Sequence, residues 1–222
     1  MPLDKGAPTA VVACGALGTS IREIVARRGW HVELHLLPSL LHNHPHEIAP
    51  RVERLAGRLQ AEGCRVILAY ADCGTYGALD EVCERLQLSH LGGLHCYDVF
   101  AGGEKMVELF AEEPGTYVLT DFLVRSFRRS VLTELGLDRR PELWGAYFAN
   151  YSRVVWLAQS PTSALELEAR NIADMFDLPL TILDVGTFAL EAELAELVCP
   201  TAKAEVPAAN ASPREDPSVV AL

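Results

Sequence analysis

Three cysteines stand where sulfur chemistry is expected. Cys14 closes the run TAVVAC, Cys73 follows RVILAYAD, and Cys96 follows SHLGGLH. Each run is short and apolar, reads as a buried strand, and leads into a helix or a loop before one. In an open parallel sheet the C-terminal ends of the strands share one edge, and ligands bind in the crevice there. Helix N-termini at that edge favour thiolate, the metal-binding form of cysteine, through the helix dipole and free N–H groups. Three thiolates beside an open position suit a catalytic Zn²⁺ or an iron–sulfur cluster with one free iron. The sequence does not choose between these cofactors, and with no CxxC pair the expectation rests on topology. The other three of the six cysteines take no role: Cys83 falls on a helix face with Leu79 and Leu86 and reads as core, Cys64 precedes a strand, and Cys199 adjoins the tail.

The neighbouring polar residues supply candidates for the remaining chemistry. His95 and Asp98 flank Cys96 in LHCYD. Neighbours on an extended chain point to opposite faces, so Cys96 is preferred to His95 as the ligand, and His95 is kept as a catalytic candidate. The segment LPSLLHNHPHEIAP (37–50) brings His42, His44 and His46 to the same edge. Alternate histidines can bind metal, but a polar loop capping a helix is the commoner reading, and only Asn43 is retained there, as a substrate contact. His31 and His35 lie on a strand and read as structural. Asp121 and Asp184 are candidate general bases, with helix capping as the competing role. Asp98 and Gln159 are further candidate substrate contacts.

Regular alternation of strands and helices must position these residues. Strands are expected at 9–15, 31–38, 65–74 and 89–97, with helices between them and one over about 104–112. The pattern restarts with strands at 115–122, 153–160 and 178–186; helices are expected to about 135, across 140–151, after Ser160, and over about 188–198. This is the signature of an α/β fold with parallel sheets covered on both faces. Two Rossmann-like lobes facing a central cleft are expected, 1–112 with the cysteines and 113–200, followed by a disordered Ala- and Pro-rich tail over 201–222. RVILAYADCG and RVVWLAQS open similar strand–turn–helix–strand units, and AVVACGAL parallels YVLTDFLV, as an internal duplication would. The second lobe then has no cysteine at the matching turns.

Composition narrows the function classes. A formal charge of −11 argues against general nucleic-acid binding, which needs a basic face, and gives no support for docking on anionic membranes. No stretch approaches the roughly 20 apolar residues of a membrane span, and MPLDKGAPTAVVACGAL lacks the basic start of a signal peptide. A cytoplasmic location with reduced cysteines is therefore expected. GxGxxG, GxxxxGK[ST] and GxSxG are all absent, which removes the common phosphate loops and the serine nucleophile elbow.

Several phrases together carry a family resemblance: ACGAL, LPSLLHNHP, YADCGTYG, GLHCYDVFAG, TYVLTDFL, LGLDRRPEL, YFANYSRVVWLAQS and LDVGTFALEAEL. Across about residues 10–195 the chain resembles the bacterial and archaeal family called domain of unknown function 1638. The family pattern has glutamate where this chain has Asp98, and TGYG where it reads DVGT. The resemblance implies that Cys14, Cys73, His95 and Cys96 lie within family motifs, whereas Cys64, Cys83 and Cys199 do not. It also implies, by association only, a link to corrinoid-dependent methyl transfer.

The leading expectation is a metal- or cluster-dependent enzyme, a transferase or lyase, acting on a small molecule in methyl or one-carbon transfer. A corrinoid or methyltransferase protein is the expected partner. Two other readings stay open: a non-enzymatic carrier of a metal, cluster or corrinoid, and a metal-free cysteine hydrolase or transferase in which His95 or a histidine of the 42–46 loop activates Cys73.

Overall fold

The computed structural model describes residues 7–199; the expected tail lies outside them. Seven strands form two parallel sheets. The first contains β1 (Thr9–Cys14), β2 (Val32–Leu37), β3 (Arg65–Ala69) and β4 (Ser89–His90) in the order β2-β1-β3-β4. The second contains β5 (Thr116–Thr120), β6 (Arg153–Ala158) and β7 (Leu180–Asp184) in the order β5-β6-β7. All pairings are parallel, as the strand–helix alternation predicts. β4 has only two residues, because Gly92 and Gly93 turn the chain out of the sheet early.

In the first sheet the crossovers are α1 (Gly18–Arg28), α2 (Ile48–Ala61) and α3 (Ala78–Leu86). The chain moves from β1 to β2 on one side and then returns to β3 on the other. This reversal is a switch point, where crossovers leave in opposite directions and open a crevice at the strand ends. Ala10 to Cys14 and Val66 to Ala71 are buried throughout, as strands covered on both faces require.

The second sheet winds in one direction only. Its alternation is clear on β6: Val154, Trp156 and Ala158 join the core with Tyr117, Phe127, Phe148 and Phe176, whereas Val155 and Leu157 face Met106 and Leu109. The link from β5 to β6 contains α6 (Asp121–Phe127), a π-helical stretch at Arg128–Thr133, and α7 (Trp144–Phe148); α8 (Ser163–Phe176) links β6 to β7. If β5, β6 and β7 are set against β1, β3 and β4, the strand orders agree, and the second lobe has no strand in the place of β2.

Two helices cross between the lobes. α5 (Gly103–Glu112) precedes the expected boundary at 112, yet its Met106 and Leu109 pack on the second sheet. α9 (Phe188–Val198) follows β7, yet its Leu190 and Leu194 are buried in the first core, beside α4 (Asp98–Ala101). Arginines at the strand starts tie down both. Arg65 donates to the carbonyls of Leu197 and Val198 at 2.5 and 2.9 Å, and Arg153 to that of Leu109 at 2.8 Å. In each case a cation meets the negative end of a helix. No helix among the described residues is long and apolar enough to cross a membrane.

Candidate metal centre

Every strand of the first sheet sends one ligand-type side chain to the C-terminal edge. Cys14 ends β1, His42 follows β2, Cys73 follows β3, and Cys96 follows β4. Donor atoms of Cys14, His42 and Cys96 all lie within 4.8 Å of one another, a group that can hold a metal ion. His42 Nε2 is 3.2 Å from Cys96 Sγ and 3.9 Å from Cys14 Sγ. Cys73 Sγ reaches the group through Cys96 Sγ, at 3.0 Å. Cys14 and Cys73 are buried, while His42 and Cys96 are half-buried.

Local sequence explains each placement. Cys14 caps a 3₁₀ turn at Gly15–Leu17, its sulfur accepting from Ala16 N–H at 3.3 Å. Gly15 permits the approach to β2, since a Cβ there would lie 2.7 Å from the Leu37 carbonyl oxygen. His42 sits on a second 3₁₀ turn, Ser39–Asn43, and its Nδ1–H donates to the Ser39 carbonyl at 2.8 Å. That bond orients the ring and leaves Nε2 beside Cys96 Sγ, the supporting contact usual for metal-binding histidines.

Cys73 occupies the left-handed region at φ 52°, which costs about 1 kcal/mol or more for a non-glycine residue. The Asp72 carboxylate holds it there, accepting from the N–H groups of Gly74, Tyr76 and Gly77 and from the Thr75 hydroxyl at 2.6 Å. Burial opposes the charge on Asp72, but these donors outweigh it and lower its pKa. Asp72 and Cys73 N–H groups bond to the carbonyls of Gly93 and Leu94, aligning the turn after β3 with the loop that carries Cys96. Asp98 closes that loop, accepting from Leu94 and His95 N–H at 2.7 and 3.0 Å.

The electrostatics separate the thiols. Burial pushes the Cys14 thiol up, but hydrogen bonds from Cys96 and His42 outweigh it and hold it well below its ordinary value. The Cys96 hydrogen bond, followed by that of His42, brings Cys73 down to about 7. Cys96 is the donor of the set, and its own pKa rises as it serves Cys14 and Cys73. Burial disfavours charge on His42, yet its contacts with Cys14 and Cys73 raise it well above the usual histidine range.

The remaining candidates fall elsewhere. His95 does not join the donor group; its ring stacks on Tyr97 at 4.7 Å, and its Nδ1 is 4.0 Å from Asp98. Asp98 is engaged with the loop backbone, which leaves it a positioning role. Asp121 is buried, and its oxygens accept from Trp156 Nε1 and the N–H groups of Gln159 and Ser160 at 2.9–3.0 Å. It ties the start of α6 to β6 and to the turn that follows it, and Arg125 Nη2 lies 3.7 Å from the same carboxylate. Gln159 is likewise buried, accepting from Asp121 N–H at 2.8 Å and donating to the Leu157 carbonyl. Asp184 is exposed at the end of β7. Asn43 Nδ2 donates to the Ser130 carbonyl of the second lobe at 3.4 Å, so it bridges the lobes beside His42. Cys83 is core, its thiol pushed up to about 11 by burial and by Asp80.

His42 is the site residue missed by the sequence argument, which set the histidine loop aside. Three alternating histidines gave no means of choosing one; the only local signal was Ser39, three residues earlier, whose carbonyl receives Nδ1–H. No curated protein and no solved structure matches the chain. The family described as "Protein of unknown function (DUF1638)" matches residues 36–194, which include His42, Cys73, His95 and Cys96; Cys14, expected within the family motifs, lies outside the matched segment. With most of its length covered, the chain belongs to that family.

Proposed function

We propose that this site holds one zinc ion and that the protein is a metal-dependent enzyme acting on a small molecule. Methyl or one-carbon transfer is the reaction class favoured by the family's associations. The observation that carries the metal reading is His42. Its Nδ1–H is committed to Ser39 O, its Nε2 lies 3.2 Å from Cys96 Sγ, and Cys14 Sγ lies 3.9–4.0 Å from the two ring nitrogens, both sulfurs coming from other strands.

Distances favour a single ion over a cluster. Metal–sulfur bonds of about 2.3 Å and metal–nitrogen bonds of about 2.0 Å at tetrahedral angles separate the donor atoms by roughly 3.5–3.8 Å. The separations of 3.0, 3.2 and 3.9 Å bracket that value. An iron–sulfur cluster binds each thiolate to a different iron, which spreads the sulfurs well beyond the 4.8 Å that contains this donor set. Thiolate and imidazole ligands together also suit zinc.

Two cysteines and one histidine with a fourth position open is a catalytic zinc arrangement. Bound zinc would stabilise a thiolate or hydroxide at neutral pH. Cys14, His42 and Cys96 hold the ion in this reading. Cys73, with its lowered pKa and its Sγ 3.0 Å from Cys96 Sγ, stands beside these ligands and would leave the fourth position to a substrate atom. The second lobe meets the edge at two points, α6 against the Gly15–Leu17 turn and Ser130 against Asn43.

One observation favours a metal-free reading: the raised His42 and lowered Cys14 also describe an imidazolium–thiolate pair. In that case a single cysteine is the nucleophile, and Cys73→Ser and Cys14→Ser differ sharply in activity. Shared ligation instead gives equal loss. Metal analysis of anaerobically purified protein decides between them. About one zinc per chain is expected, and less than about 0.2 of any metal after reconstitution contradicts the proposal. Iron with visible absorption would point to a cluster.

A further inference from the structure

Tyr70 is a buried polar side chain with no partner to explain it. It follows β3, three residues before Cys73, and is 0% exposed. Its ring stacks against that of His42, with centroids 6.1 Å apart and planes at 21°. Its hydroxyl finds no hydrogen-bond partner. Of the site sulfurs, Cys14 acts on it most strongly, followed by Cys96 and Cys73.

Burying an unpaired hydroxyl costs roughly 1–3 kcal/mol, and phenylalanine would fill the same space without that cost. No acceptor of the chain meets hydrogen-bond geometry to this hydroxyl, so it is free for an acceptor that arrives from outside. The sulfurs in whose field it lies belong to the centre, and the place left for a further atom is the fourth position on the ion. We infer that Tyr70 hydrogen-bonds to the metal-bound atom of a small ligand, and that this atom carries a free acceptor lone pair, as an oxyanion, alkoxide, azide or thiolate does. The inference rests on the metal reading above. It narrows the substrate to small molecules that bind through a heteroatom, and it makes Tyr70 a contact of that atom.

The test uses cobalt-loaded full-length protein titrated with azide, followed by the visible ligand-field bands. Wild type and Tyr70→Phe are both expected to take up about one cobalt per chain, with azide affinity falling about tenfold in the variant, the loss of one good hydrogen bond. Equal affinities, within about twofold, overturn the inference while leaving the metal site intact. So does a shifted sulfur-to-cobalt charge-transfer band with unchanged azide affinity, which would make Cys14 the acceptor. Failure of wild type to take up cobalt overturns the metal reading and this inference with it. Should Tyr70→Phe fail to fold, 3-fluorotyrosine at the same position tests the hydroxyl instead. Its more acidic phenol is expected to tighten azide binding, and no change overturns the inference.

Discussion

The two lobes place similar strand ends at similar edges and finish them in opposite ways. At the edge of the second sheet, Asp121 accepts from Trp156, Gln159 and Ser160, and Gln159 returns a bond to the same helix start. The buried polar groups there, Asp121 and Gln159, are used internally, and Asp184 at the end of β7 is exposed. At the edge of the first sheet, Cys14, His42, Cys73 and Cys96 converge, and the Tyr70 hydroxyl is left without a partner. A closed hydrogen-bond network gives rigidity and leaves nothing for a ligand. Sulfur and imidazole gathered in this way form a group that can hold a metal ion. The contrast follows the topology: the crevice opens at the switch point beside β1, which the one-directional second sheet lacks.

Substitutions at the two edges should therefore separate metal binding from stability. The largest effect is expected at Cys96, which touches both His42 and Cys73. Cys96→Ser should weaken zinc binding on the order of a thousandfold, measured by competition with a chromophoric chelator. His42→Ala should follow with a similar or somewhat smaller loss. In the second lobe, Asp121→Ala should leave zinc content unchanged. Denaturant titration should show about 3 kcal/mol of lost stability, because the buried Trp156 and Gln159 donors and the Ser160 N–H lose their acceptor. Zinc loss in that variant would break the division between the lobes.

A matched pair of glycines sharpens the comparison. A Cβ on Gly15 would meet the Leu37 carbonyl at 2.7 Å, and one on Gly115 the Asn150 carbonyl at 2.8 Å. Both alanine variants should lose about 1–3 kcal/mol, but only Gly15→Ala should also weaken zinc binding, since it displaces Cys14. The smallest effect concerns Glu191 on the crossing helix α9. Hydrogen bonds from Arg27 and Arg28 lower its pKa below the ordinary 4.5. A depressed carboxylate contributes stability above its unfolded pKa and loses it as pH falls through the folded value. The small Tm difference between wild type and Glu191→Gln should thus be present at neutral pH and fade as pH falls through and below the ordinary carboxylate range.

The strands were legible because their runs are apolar and flanked by turn residues, and parallel pairing followed from the helices between them. That same reasoning brought Cys14, Cys73 and Cys96 to one edge without any motif. His42 was not legible, since the direction of a side chain on a 3₁₀ turn depends on a backbone bond that periodicity does not report. Asp121 had two roles open, and the choice required seeing Trp156 and Gln159 beside it. The exchange of α5 and α9 was equally hidden: an apolar stripe shows that a helix is covered, not which sheet covers it. The helix expected to run to about 135 instead passes into a π-helical stretch after Phe127, where Ser130 meets Asn43.

X-ray absorption at the metal edge of anaerobically purified protein tests the central claim most directly. A single zinc coordinated by two or three sulfurs at about 2.3 Å and one nitrogen at about 2.0–2.1 Å is predicted, with the nitrogen contribution lost in His42→Ala. A metal–metal vector, or a shell of oxygen and nitrogen without sulfur, would contradict it.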